Sequence, residues 1–176
     1  SEYLTDNACE IRYHDGDRLV PTSRALAEGT QSLGRVYVRY TRGLRLWVNC
    51  SAQGPWVVET GGRRYELPPH GWLIEKPGST LAFSALVDGR RVDFVRCPEY
   101  LYINTGGARA SESPLEVEGA VLLKRESDAW RLIPCGDLGQ WERFPPPGLP
   151  SRFSDFRTVG APPNRGCPYI AVDTTE

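Results

Sequence analysis

The sequence predicts an all-β fold, an antiparallel β-sandwich of hairpins with a jelly-roll-like character, one short helix and a long Pro-rich C-terminal loop. Three observations predict it. Apolar and polar residues alternate with a period of two nearly everywhere, turn dipeptides interrupt that alternation at short intervals, and helical patterning is confined to one stretch. At 176 residues the chain suits a single domain covering 1–176, and a hydrophobic content of 40% is enough for a real core.

Thr22 to Glu28, followed by Gly29, reads as a short helix with a hydroxyl N-cap and a glycine C-cap. The first hairpin runs from Val36 to Tyr40, turns at Thr41-Arg42-Gly43 and returns from Leu44 to Asn49. A three-residue loop ending in Gly is a known hairpin connection. The second joins Trp56–Thr60 to Arg63–Leu67 through Gly61-Gly62. The third joins Leu81–Val87 to Arg90–Arg96 through Asp88-Gly89, a dipeptide suited to the positive φ values of a type I′ turn. Further strands are predicted at Trp72–Glu75, Tyr100–Asn104, Val121–Arg125, Trp130–Pro134 and Tyr169–Val172. From Gly136 to Pro168 the chain is rich in Pro, which cannot donate to a ladder. Trp141, Phe144, Phe153 and Phe156 lie in the same segment, so it reads as an ordered loop laid over the sandwich.

Composition excludes several classes of function. The formal net charge is -1, so no global field attracts nucleic acid or an anionic membrane, and no run is long and apolar enough for a transmembrane helix. No secretory leader is visible. The chain starts at Ser1 and contains no Met, which reads as a processed chain or a piece of something longer. Among 21 basic residues only Lys76 and Lys124 are Lys, a bias that a GC-rich genome explains. Cys9, Cys50, Cys97, Cys135 and Cys167 are evenly spread with no CxxC pair, which argues against a zinc ribbon or redox motif and fits buried free thiols at least as well as two disulfides and a leftover. Asn49-Cys50-Ser51 matches a glycosylation sequon.

Pairing the first hairpin across its loop sets Tyr37 opposite Trp47, Val38 opposite Leu46 and Arg39 opposite Arg45. Val36, Val38, Tyr40, Leu44, Leu46 and Val48 then form a core face. Tyr37, Arg39, Arg45, Trp47 and Asn49 share the other, which is expected to face solvent and to suit a sugar ring: aromatic planes cover its apolar side while Arg and Asn bond its hydroxyls. The alternative is that a second layer covers this face and Trp47 is ordinary packing. In the second hairpin Trp56, Val58, Tyr65 and Leu67 are core, and Glu59 faces Arg64 as a solvated ion pair. In the third, Phe83, Ala85, Val92 and Phe94 are core, with Ser84 and Asp93 outside. His14-Asp15-Gly16-Asp17 reads as a turn between strands rather than a metal site, and His70 as a surface loop residue. No cofactor or metal is expected. No Ser lies in a Gly-x-Ser-x-Gly elbow and no Gly-rich phosphate loop occurs. Asp93, Glu99 and Asp155, flanked by aromatics or Arg, are the carboxylates a glycosidase reading would use.

The runs Gly43–Asn49, Gly54-Pro55-Trp56-Val57-Val58, Leu67-Pro68-Pro69-His70-Gly71-Trp72 and Leu81-Ala82-Phe83-Ser84 resemble the C-terminal β-sandwich domains that follow the catalytic (β/α)₈ barrel of multidomain glycoside hydrolases. The resemblance spans residues 34–105 and carries no catalytic residues. It implies an accessory domain that packs against a catalytic domain of the same parent protein, or binds a glycan or polysaccharide; the compartment stays open, with an extracellular one slightly favoured. A non-catalytic module is therefore the first expectation. A small β-sandwich hydrolase or lyase acting through Asp or Glu, and a purely structural interaction domain, are the alternatives.

Overall fold

The computed structural model describes residues 6–112, 115–125, 130–135, 156–158 and 170–172. The fold is all-β and, among the described residues, antiparallel except for one parallel pair. The chain divides into two compact units, Ser1–Arg91 and Val92–Glu176.

In the first unit β1 (Ala8–His14) and β2 (Leu19–Pro21) precede helix α1 (Thr22–Glu28) and a 3-10 turn at Thr30–Leu33. Next come β3 (Arg35–Tyr40), β4 (Arg45–Asn49), β5 (Trp56–Thr60), β6 (Arg63–Leu67), β7 (Trp72–Lys76) and β8 (Thr80–Val87). A sheet runs in the order β8-β7-β4-β3-β1-β2. The β3–β4 register is the one the sequence predicts, with Tyr37 opposite Trp47 and Arg39 opposite Arg45. The β5–β6 hairpin joins the sheet at its β8 edge through Glu66 and Leu86. It then crosses one face as a second layer. Tyr65 packs its ring 5.5 Å from Phe83 on β8, Thr60 donates to Glu75 on β7, and Trp56 lies 5.4 Å from the His14 ring on β1. Trp56, Val58, Tyr65 and Leu67 are all buried, as the alternation predicts. Glu59 and Arg64 face each other in register but form no ion pair.

Two local expectations need correction. The N-cap of α1 is Pro21 and no side chain caps it; the Thr22 hydroxyl donates instead to the Ile11 carbonyl on β1. Gly29 does end the helix in a left-handed conformation, returning its N–H to Ala25 and Leu26. Ser84 is buried rather than outside, and its hydroxyl accepts from Arg91 Nε at 2.8 Å.

Gly71 shows why this corner of the fold has a single solution. A Cβ there would lie 2.6 Å from the Pro68 ring and 2.7 Å from the Ser84 carbonyl oxygen, neither of which can swing away. Its own carbonyl accepts from the Asn49 N–H. Gly71→Ala is expected to cost about 3 kcal/mol by overpacking, read as a lowered midpoint in denaturant with an unchanged slope.

The second unit contains β9 (Arg90–Arg96), which begins just before its boundary, β10 (Tyr100–Glu112), β11 (Leu115–Arg125), β12 (Trp130–Pro134), β13 (Phe156–Thr158) and β14 (Ile170–Val172). The order is β13-β12-β11-β10-β9, with β14 on β11 and β13 parallel to β12. Its core is Val92, Phe94, Leu101, Ile103, Val117, Val121 and Leu123. β10 runs past the predicted Asn104 because a bulge at Gly106 and Gly107, both at positive φ, lets pairing resume at Arg109. Within the predicted Pro-rich loop, Phe156–Thr158 is strand; Trp141, Phe144, Phe153, Asp155 and Cys167 lie outside the described residues.

Candidate functional site

The predicted contact residues share one face of the first unit's sheet because side chains alternate and register aligns them across strands. Arg12, Tyr37, Trp47, Leu73 and Phe83 form one cross-strand row over β1, β3, β4, β7 and β8. Glu10, Arg39, Arg45 and Glu75 form the next row, and Arg35 and Asn49 pair on the other side. The structure thus brings all five together, but it does not leave all five open. This face was expected at solvent, and that expectation is corrected for three of them: Tyr37 is 9% exposed, Trp47 6% and Asn49 0%.

The physical reason is the β5–β6 layer. It covers the middle of the face, so Trp47 lies against Tyr37 with ring centroids 5.1 Å apart instead of offering a flat surface. Asn49 is spent on loop closure: its Nδ2 donates to the carbonyls of Leu67 at 2.9 Å, Pro68 at 3.1 Å and Gly54 at 3.2 Å, while Oδ1 accepts from the Ser51 N–H. A sequon asparagine so placed is closed to glycosylation in the folded chain.

The row of charges stays accessible. Glu10 accepts from Arg39 Nε at 2.8 Å and Arg12 Nε at 2.6 Å, and Arg45 Nη2 lies 3.0 Å from Glu75. Glu75 also accepts from the Thr60 hydroxyl. The side chain of Arg39 is 50% exposed and that of Arg45 30%. The Arg39 bond, then that from Arg12, holds Glu10 below its ordinary carboxylate range. Burial, and then the Glu10 charge, pushes the Tyr37 phenol up, while the charges of Arg45, Arg39 and Arg12 pull the other way. Arg12, Glu10, Glu75 and Thr60 were missed in the sequence, although Glu10-Ile11-Arg12-Tyr13 alternates and was legible as a strand.

The other candidates do not converge. Asp93 sits mid-strand on β9 opposite Asn104, and Glu99 lies in the turn beyond the end of β9. His14-Asp15-Gly16-Asp17 is a turn between β1 and β2, as expected: Asp15 Oδ1 accepts the N–H groups of Asp17 and Arg18, and His14 Nδ1 accepts that of Gly16. Among the described residues no cluster of His, Cys, Asp and Glu is arranged to hold a metal ion, and no helix is long and apolar enough to cross a membrane. Cys9, Cys50, Cys97 and Cys135 are free, with Cys9 and Cys50 exposed rather than buried.

His14 sets a pH response. Burial beside Trp56, and next the Arg35 charge, lowers its pKa from the ordinary 6.5. The unfolded chain therefore takes up this proton first, so stability falls as pH drops through the imidazole range. Glu10 and Asp15, also held low, act in the same direction but in the more acidic carboxylate range. Between about pH 7.5 and about pH 5.5 the denaturant midpoint of the wild type is expected to decline, and that of His14→Gln to stay flatter.

No family model matches this chain, and neither does any curated protein or solved structure.

Proposed function

We propose that this chain is a non-catalytic β-sandwich accessory module of a carbohydrate-active enzyme, contacting glycan through the open end of the Tyr37–Trp47 face. One observation carries the reading. Arg39 and Arg45 stand directly opposite each other on β3 and β4, the first side chain exposed and the second partly so, with an aromatic pair behind them. In this arrangement Arg39, Arg45 and the rim of Tyr37 touch the ligand, and Trp47 and Asn49 are the frame that holds them. The resemblance to the accessory sandwiches of glycoside hydrolases supports the same reading.

The test is a panel of soluble and insoluble polysaccharides, with release of reducing ends followed in the same tubes. Retention on a polysaccharide without sugar release supports the module. Sugar release overturns the non-catalytic reading and moves attention to the carboxylates.

A second reading, bracing of a catalytic domain, is favoured by the opposite face of the same sheet. Ile11, Val38, Leu46 and Ile74 form one cross-strand row, and Tyr13, Val36, Val48 and Trp72 the next. These side chains are half-exposed, and Ile11 is 45% exposed, so an apolar strip stays partly wet. The sequence assigned Val36, Val38, Tyr40, Leu44, Leu46 and Val48 to the closed core; only Leu44 of that set is buried. A bracing role requires Leu46→Glu and Ile74→Glu to weaken binding to a catalytic domain of the parent protein while leaving polysaccharide retention unchanged.

A further inference from the structure

We infer that the Arg39–Arg45 pair is an oxyanion-binding site and that the ligand is an acidic polysaccharide, recognised through its carboxylate or sulfate groups. This rests on the glycan-contacting reading above and narrows its ligand.

Like charges directly opposite each other on neighbouring strands are destabilising, and here two guanidinium groups occupy such a position. Among the described residues each has a carboxylate only on its outer side, Arg39 from Glu10 on β1 and Arg45 from Glu75 on β7, and the Arg45 guanidinium also lies 5.8 Å from the centroid of the Trp47 ring. The space between them has no carboxylate from the described residues. Adding Arg12, which shares Glu10, makes three guanidinium groups against two carboxylates in this cluster. The cluster is locally cationic on a chain whose formal net charge is -1.

The donors are unspent as well. A guanidinium carries five N–H groups in a rigid fork matched to planar oxyanions. Arg39 uses Nε on Glu10, and Arg45 sets Nη2 against Glu75. Among the described residues that leaves both terminal nitrogens of Arg39, and Nε and Nη1 of Arg45, without a protein acceptor. The Tyr37 phenol lies within the field of Arg45, Arg39, Arg12 and Glu10, and it makes no hydrogen bond among the described residues. It is placed to bond a neighbouring hydroxyl.

Burial of the aromatics selects acidic over neutral chains. Neutral sugars are held by stacking on an open ring, and neither Trp47 nor Tyr37 offers one. Charge-assisted hydrogen bonds are what this surface has left to give, and they are the stronger kind.

The experiment measures affinity for oligogalacturonate, sulfated dextran, neutral dextran and poly-glutamate on the whole chain, for wild type, Arg39→Gln/Arg45→Gln and Arg64→Gln. Arg64 is exposed on the outer face of β6 and controls for loss of positive charge elsewhere. The double substitution leaves Glu10 with Arg12 and Glu75 with Thr60, so thermal unfolding is expected to stay near wild type. Binding to oligogalacturonate or sulfated dextran should fall about 10- to 100-fold in the double variant and less than about twofold in Arg64→Gln. The ratio of the two affinities tells carboxylate from sulfate as the preferred group. Equal loss in Arg64→Gln overturns the site, and poly-glutamate binding as tightly as the acidic sugars overturns the ligand class. Retention of neutral dextran alone overturns this inference while the module reading stands, whereas silence on every polysaccharide overturns both.

Discussion

Trp47→Ala is expected to destabilise the chain by about 3–5 kcal/mol, the range for truncating a large buried aromatic. Trp47 is 6% exposed, packs on Tyr37 and sits in a row that continues through Leu73 and Phe83, both fully buried. Its removal opens a cavity bordered by the sheet on one side and the β5–β6 layer on the other. For a chain of 176 residues each kcal/mol moves the melting temperature by roughly 2–4 °C, so a fall on the order of 10 °C is expected. Trp47→Phe keeps much of the volume and should lose less than half as much. The substitution also separates two meanings of lost binding. Trp47→Ala should weaken glycan retention in step with unfolding and recover below its own transition. Arg39→Gln should weaken it at every temperature with the transition unmoved. A Trp47→Ala protein that melts like wild type would place Trp47 at the surface and reverse the packing described above.

What the sequence disclosed, and what it hid, follows from the range of the interactions. Hairpin registers are local: Gly43, the Gly61-Gly62 pair and Asp88-Gly89 sit at positive φ where their turns require it, and pairings such as Val38 with Leu46 follow from loop length. Knowing which face of a paired hairpin will be covered needs the second layer, and that is long-range information. Val36, Val38, Leu46 and Val48 are uniformly apolar, so they read as the core face, while Arg39, Arg45 and Asn49 made the opposite face read as wet. The structure divides that second face along its length. Beneath β5–β6 it is closed around Trp47 and Asn49; at its end it is open around Arg39 and Arg45. Alternation alone could not show this, because both halves share one parity. β1 was missed for a different reason. Its acidic and basic residues, Glu10 and Arg12, serve as ion-pair partners on a two-sided strand, so its apolar content is too low to mark it as sheet. Of the five residues named from sequence, Arg39 and Arg45 stay accessible while Tyr37, Trp47 and Asn49 are buried.

Asn49 gives the sharpest test of that support. Its amide nitrogen is the shared donor for the Gly54, Leu67 and Pro68 carbonyls, so one side chain joins the ends of the β4–β5 loop, β6 and the loop after it. Backbone bonds reinforce the junction, the Asn49 N–H going to Gly71 and the His70 N–H to the Asn49 carbonyl. Asn49→Ala leaves buried carbonyls without a donor and is expected to cost about 2–4 kcal/mol. Asn49→Asp should cost more near neutral pH, since an ionised carboxylate would then face three carbonyl oxygens in a site with no exposure. Burial and those oxygens both favour the protonated acid, which can still donate one bond, so the folded-state pKa of the new group lies above its unfolded value. Such a group contributes most below the unfolded pKa and loses its contribution as pH rises through the folded one. The gap between Asn49→Asp and wild type should therefore narrow on acidification, while that between Asn49→Ala and wild type keeps its size. Denaturant midpoints of the three proteins at a series of pH values read this directly. A gap for Asn49→Asp that ignores pH would mean that the side chain meets water, and the closed part of the face beneath β5–β6 would go with it.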